Sequence, residues 1–111
     1  MKKVVLLGST GSIGTSTCKV AEDLPNEIQL IGLAAGHNAS LLREQVRQFN
    51  PQAVSLANPV AAKELTNEYK RGPDVYCGSE GLIKLAILPD ADVVLIAIVG
   101  IAGLQPALAA I

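Results

Sequence analysis

Val4-Val5-Leu6-Leu7-Gly8-Ser9-Thr10-Gly11-Ser12-Ile13-Gly14 is an apolar run that breaks into a glycine-spaced turn and then continues as helix. It reads as a strand, a loop and a helix start at the N-terminus of the chain. The three glycines follow a GxxGxxG spacing. Gly8 allows a sharp exit from the strand, Gly11 lets a phosphate approach the backbone, and Gly14 allows close packing of helix on strand. Free N–H groups at the helix start then face the phosphate, with the positive end of the helix dipole behind them. The competing reading is a plain connecting turn, because Gly-Ser-Thr clusters often do no more than join elements. Context favours the nucleotide: a strand precedes the loop, and residues 15–24 follow it without a helix breaker. The ligand expected from this unit is a dinucleotide. A mononucleotide phosphate loop does not fit, since no Gly-Lys-Ser/Thr triplet follows.

Composition agrees with one α/β domain. A chain of 111 residues, half of them apolar, has the length for one hydrophobic core and not for two. Charged residues make up 17% and leave a net charge of −1, so no basic footprint points to nucleic acid. Aromatic residues, at 3%, also provide no base-stacking platform. Mean hydropathy is high at +0.38, but no apolar run reaches the ~18 to 20 residues of a membrane-spanning helix. Met1-Lys2-Lys3 before residues 4–7 imitates a signal peptide, yet the apolar run stops at Gly8, so a cytoplasmic location is expected. Cys18 and Cys77 lie in no ligand pattern and read as small buried thiols. With one histidine and no clustered thiols, no metal site is expected in this segment.

The rest of the chain alternates strand and helix. Pro25-Asn26 marks a turn, residues 28–35 a buried strand, and Gly36 its end. Asn38 or Ser40 can cap a helix through Leu41, Leu42, Val46 and Phe49. Residues 53–57 form a third strand. Asn58-Pro59 then starts a helix to about Tyr69, with the proline at its first position. Residues 70–73 are a loop and 75–77 a minor strand. Ser79 is the expected cap of a fourth helix through Leu88. Residues 93–99 are the most hydrophobic strand, in the manner of a central parallel strand covered on both faces. A second glycine turn, Gly100 to Gly103, ends it. Repeated βα units with right-handed crossovers imply a Rossmann-like, doubly wound, mainly parallel sheet flanked by helices. Such folds bind ligands beyond the carboxyl ends of the strands.

The second strand decides between the two nicotinamide dinucleotides. An NAD-preferring unit ends it with Asp or Glu, which bonds the ribose 2′-hydroxyl and repels a 2′-phosphate. Here the strand ends Ala34-Ala35-Gly36-His37-Asn38. No carboxylate stands there, while Gly36, His37 and Asn38 offer a backbone N–H, an imidazole and an amide. That favours NADP(H). For His37 two readings stay open, a phosphate contact or a solvated loop residue. Asn38 can cap a helix and bind at once.

Residues 7–17, the stretch Ala35-Gly36-His37-Asn38, and Ala97-Ile98-Val99-Gly100-Ile101-Ala102-Gly103-Leu104 with Pro106 and residues 108–111 closely resemble the N-terminal part of the 1-deoxy-D-xylulose 5-phosphate reductoisomerase family. The first block is shared with several reductases; the third is far more specific. The resemblance implies an enzyme that uses NADPH and Mn²⁺ or Mg²⁺. It rearranges and reduces 1-deoxy-D-xylulose 5-phosphate to 2-C-methyl-D-erythritol 4-phosphate on the non-mevalonate route to isoprenoid precursors. It further implies a homodimeric parent enzyme acting on a small phosphorylated sugar, with no nucleic-acid or membrane partner. Carried over by position, Gly8, Thr10, Gly11, Ser12 and Ile13 hold the pyrophosphate side of NADPH. Gly36, His37 and Asn38 hold the 2′-phosphate, and Ala97, Ile98 and Val99 flank the path to the nicotinamide. The position of His37 is commonly lysine or arginine in the family, so a permanent cation is replaced by an imidazole. Residues 1–111 are therefore expected to be an NADPH-binding Rossmann domain, an N-terminal fragment inactive by itself. The metal ligands, substrate-phosphate residues and lid are expected downstream. Two other readings are an aspartate-semialdehyde dehydrogenase-like NADPH reductase and a non-catalytic Rossmann regulator that senses nucleotide.

Overall fold

Strand and helix alternate through the whole of the computed structural model, which describes residues 2–70 and 72–97. The elements are β1 (Lys2–Leu7), α1 (Ser12–Asp23), β2 (Ile28–Ala35), α2 (Ala39–Phe49), β3 (Ala53–Leu56), α3 (Pro59–Glu68), β4 (Asp74–Cys77), α4 (Gly78–Ala86) and β5 (Val93–Ile96). All pairings are parallel, and the strands lie in the order β4-β3-β2-β1-β5. Strand order therefore reverses at β1, and the loop after Leu7 leaves the sheet at the switch point where such folds bind ligands.

Alternation along the strands divides the core in two. Val4, Leu6, Leu33, Val54 and Leu56 face α1, α2 and α3, where they meet Cys18, Ala21, Leu42, Val46 and Leu65. Val5, Leu7, Ile31 and Ala34 face the other way, against Leu85 and Ala86 of α4. These strands read as continuous apolar runs because both of their faces are covered. In β2 the register with β1 shifts between Val4 and Val5. Close by, Gly32 gives room to α4 and the turn after it, since a Cβ there would lie 3.4 Å from Leu85 Cδ2 and 3.3 Å from Leu88 Cδ1.

Helix starts follow local chemistry. Asn58 caps α3 by accepting from Val60 N at 3.0 Å, with Pro59 at the first turn. Asn38, rather than Ser40, caps α2. In α1 the helix begins at Ser12, three residues before the breaker-free stretch, with Gly11 as an N-cap that has no side-chain hydrogen bond. In α4 the cap position belongs to Cys77, and Ser79 already lies inside the helix. Gly78, at φ +67°, makes that early start possible.

Two expectations change. Cys77 is exposed, because it ends β4, which pairs on one side with β3 and has no neighbour beyond it among the described residues. Val93 and Leu95 of β5 remain 42% and 37% exposed, and only Val94 and Ile96 pack on the core below α4. Among the described residues β5 is thus an outer strand covered on one face. The end of the strand expected over 93–99 and the second glycine turn lie outside the described residues.

Candidate functional site

The loop after β1 is held from beneath and open above. Gly8 takes φ +97°, a left-handed conformation that an L side chain resists. The N–H groups of Gly8 and Ser9 both donate to the Ala34 carbonyl at 2.8 Å, which fastens the turn to the end of β2. Gly11 N donates to Gly8 O at 3.3 Å and closes the loop. Gly11 itself is extended, at φ −78° and ψ 176°, and α1 carries no acidic residue in its first turn. The N–H groups of Ser12, Ile13 and Gly14 have no carbonyl partner within the helix. Gly11, Ser12 and Ile13 are exposed, Ile13 by 63%. An anion approaching this end of α1 meets unpaired N–H groups, the positive pole of the helix and no competing carboxylate.

The glycines of the loop do different jobs. A Cβ at Gly14 would lie 2.8 Å from the carbonyl carbons of Gly8 and Ser9, so the helix packs on its own loop only because no side chain intervenes. A Cβ at Gly11 would find only Gly8 O, at 3.7 Å. The fold does not require glycine there.

Gly36, His37 and Asn38 stand together, exposed, at the end of β2. Asn38 Oδ1 accepts from Leu41 N at 3.1 Å. Its Nδ2 group remains a donor, so capping and anion binding are compatible in one side chain. Arg43, farther along α2, is committed to α3 through Glu68 Oε2 at 3.0 Å and Glu64 Oε2 at 3.8 Å. On the other flank Ala97 N donates to Leu7 O at 2.7 Å, so pairing between β1 and β5 continues up to the loop. Ile98 and Val99 lie outside the described residues.

Between the loops lies a cavity of about 310 Å³. It is lined by Gly8, Ala34 and Gly36 from the ends of β1 and β2, and by Ser55, Gly78 and Ser79 from β3 and α4. The volume is at the lower end of the range for small-molecule sites. Sequence reasoning found Gly8 and Gly36 and missed the wall supplied by β3 and α4. The signal was there, since Cys77-Gly78-Ser79 is a second strand–glycine–helix junction on the same sheet edge. Thr10 to Ile13 and His37-Asn38 flank this cavity without lining it.

The described residues contain no group of three or more His, Cys, Asp or Glu that could hold a metal ion. They do not fit Mn²⁺ or Mg²⁺. Nor is any described helix long and apolar enough to cross a membrane. Burial pushes the Cys18 thiol up to about 11, which marks it as a packing group and not a nucleophile.

Residues 4–111 match the family model for 1-deoxy-D-xylulose 5-phosphate reductoisomerase. The reductoisomerase of Microcystis aeruginosa is 46% identical over all of this chain, and that of Thermodesulfovibrio yellowstonii 45%. The chain spans 29% of the length of each of these relatives. Among solved structures, the Zymomonas mobilis reductoisomerase in complex with NADPH superposes with a TM-score of 0.89 at 32% identity. The match covers 98% of this chain and 29% of that one. A reductoisomerase in complex with magnesium superposes with a TM-score of 0.91 at 31% identity, over 99% of this chain and 28% of the other.

Proposed function

The chain belongs to the 1-deoxy-D-xylulose 5-phosphate reductoisomerase family, and on that premise we propose that residues 1–111 are its NADPH-binding Rossmann unit. The observation that carries this reading is the uncapped start of α1, with exposed Gly11 and Ser12 and no acidic residue in the first turn. In this proposal Gly8, Thr10, Gly11, Ser12 and Ile13 take the pyrophosphate. Gly36, His37 and Asn38 take the 2′-phosphate, Asn38 through the amide nitrogen that capping leaves free. Ala97, Ile98 and Val99 border the route to the nicotinamide. The fit is physical: N–H donors and a helix dipole where a pyrophosphate charge belongs, and no carboxylate where a 2′-phosphate belongs.

Bound NADPH supplies a hydride, and what this part of the chain does is bind and orient the dinucleotide. The whole enzyme to which we assign it converts 1-deoxy-D-xylulose 5-phosphate to 2-C-methyl-D-erythritol 4-phosphate with Mn²⁺ or Mg²⁺. The described residues offer no cluster of ligands for that metal. A homodimeric, cytoplasmic parent enzyme belongs to the same proposal and rests on the family alone. Calorimetric titration with NADPH and with NADH tests the reading. NADPH should bind and NADH bind more weakly; no binding of NADPH, or equal affinity for both, would overturn it.

A further inference from the structure

Gln45 is 4% exposed, the most deeply buried amide-bearing side chain among the described residues. It sits on the apolar stripe of α2 between Leu42 and Val46, where a leucine would pack without any polar atom to satisfy. Its Nε2 instead donates to the Ser9 carbonyl at 2.9 Å, a buried hydrogen bond across 36 residues of sequence. Gln45 Oε1 and Ser9 Oγ are buried without a partner. Stability alone does not favour such a pair, because buried polar atoms left unpaired carry a desolvation cost.

We propose that Gln45 is a positioning residue for the dinucleotide loop, a role that rests on the NADPH reading above. Peptide geometry links the two. The described backbone contains no cis peptide bond, so the Ser9 carbonyl and the Thr10 N–H point in opposite directions from one peptide plane. Gln45 draws the carbonyl toward α2 and thereby turns the Thr10 N–H away from α2. The N–H groups of Gly8 and Ser9 are already fixed on Ala34 O, so the Ser9–Thr10 peptide is the next group in the loop free to rotate. Without the Gln45 donor it can flip, placing a carbonyl oxygen where an N–H stood. An anion then meets a negative dipole in place of a positive one. Asn38, the cap of the same helix, stands about two turns before Gln45. One rigid element therefore bears on both phosphate-binding ends of the proposed site.

The test uses the full chain with two probes: NADPH, which engages the loop through its pyrophosphate, and adenosine 2′-monophosphate, which has no pyrophosphate. Gln45→Leu, shown folded by circular dichroism, should weaken NADPH by about tenfold or more, the equivalent of one lost charge-assisted hydrogen bond. It should leave adenosine 2′-monophosphate unchanged. Equal loss for both probes, as from a merely structural role, or loss for neither, overturns the proposal. A wild-type chain that binds adenosine 2′-monophosphate but not NADPH also overturns it, and one that binds neither overturns the cofactor reading itself. Should Gln45→Leu not fold, nuclear magnetic resonance of the wild-type chain decides the matter. The Gln45 side-chain amide signal should shift on addition of NADPH and not on addition of adenosine 2′-monophosphate; any other pattern overturns the proposal.

Discussion

The backbone of Gly14 lies against the carbonyl of Gly8 so closely that a Cβ added to Gly14 would come 2.8 Å from the Gly8 carbonyl carbon. Three residues earlier, a Cβ on Gly11 would meet Gly8 O at an ordinary 3.7 Å. One loop thus holds a glycine that the fold needs and a glycine that it does not.

Gly14→Ala should destabilise the chain by roughly 1–3 kcal/mol, the usual cost of forcing a methyl group into filled space. The obstacle is backbone on both sides, so no rotamer change relieves it. Urea unfolding with an unchanged slope and a lower midpoint would show this, and an unshifted midpoint would contradict it.

Gly11→Val should leave that midpoint in place, since the extended backbone of Gly11 suits any residue. NADPH affinity should fall by ~2 kcal/mol, roughly thirtyfold, as the side chain holds the pyrophosphate off unsatisfied N–H groups. Titration of the folded variant with unchanged affinity would remove the loop from the binding site.

Asn38→Asp keeps a capping oxygen and exchanges the free amide donor for a negative charge. Helix stability should be retained, because Asp and Asn cap about equally well. NADPH affinity should drop by about 1–2 kcal/mol through repulsion of the 2′-phosphate, and NADH affinity should hold. Asn38→Ala separates the effects, costing ~1 kcal/mol of stability through the lost cap. If Asp at this position weakened NADH as much as NADPH, Asn38 would not face the 2′-phosphate.

The two cysteines should differ in reactivity. Exposed Cys77 should react with a thiol reagent at pH 8 in the native chain, and buried Cys18 only on unfolding. Burial raises the Cys18 thiol from 9.0 to about 11. Its folded-state value lies above its unfolded value, so its contribution to stability is complete below pH 9 and declines as pH rises toward 11. Unfolding midpoints for wild type and Cys18→Ala, compared at pH 7 and pH 10.5, should converge at the higher pH. A constant gap would rule out this account.

Much of this architecture was legible because its signals are local. Asn58-Pro59 announces a helix start, Pro25-Asn26 a turn, and the uninterrupted apolar residues of β1 and β2 a sheet covered twice. The exact first residue of α1 carries no side-chain signal, since its cap is an extended glycine. Cys77 was assigned to the interior on residue type, whereas strand order decides its exposure, and strand order depends on contacts distant in sequence. Gln45 carried a signal that polarity concealed: it lies three residues after Leu42, on the buried stripe. Ser55 and Ser79 join Gly36 around one cavity only after β2, β3 and β4 align, and no spacing within a single element encodes that.

Lys3 N donates to Asp92 Oδ2 at 2.8 Å across 89 residues, where β1 meets β5. During synthesis, β1 emerges first and receives this neighbour last. At the usual pace of a ribosome the interval is on the order of 5 to 20 s. For that time Val4-Val5-Leu6-Leu7 is an open sheet edge, available to any other nascent strand. Lys2 and Lys3, adjoining it, supply the charge that discourages such pairing until residues 93–96 arrive. The order of translation thus leaves a strand that is paired on both sides in the finished molecule exposed along one edge at birth.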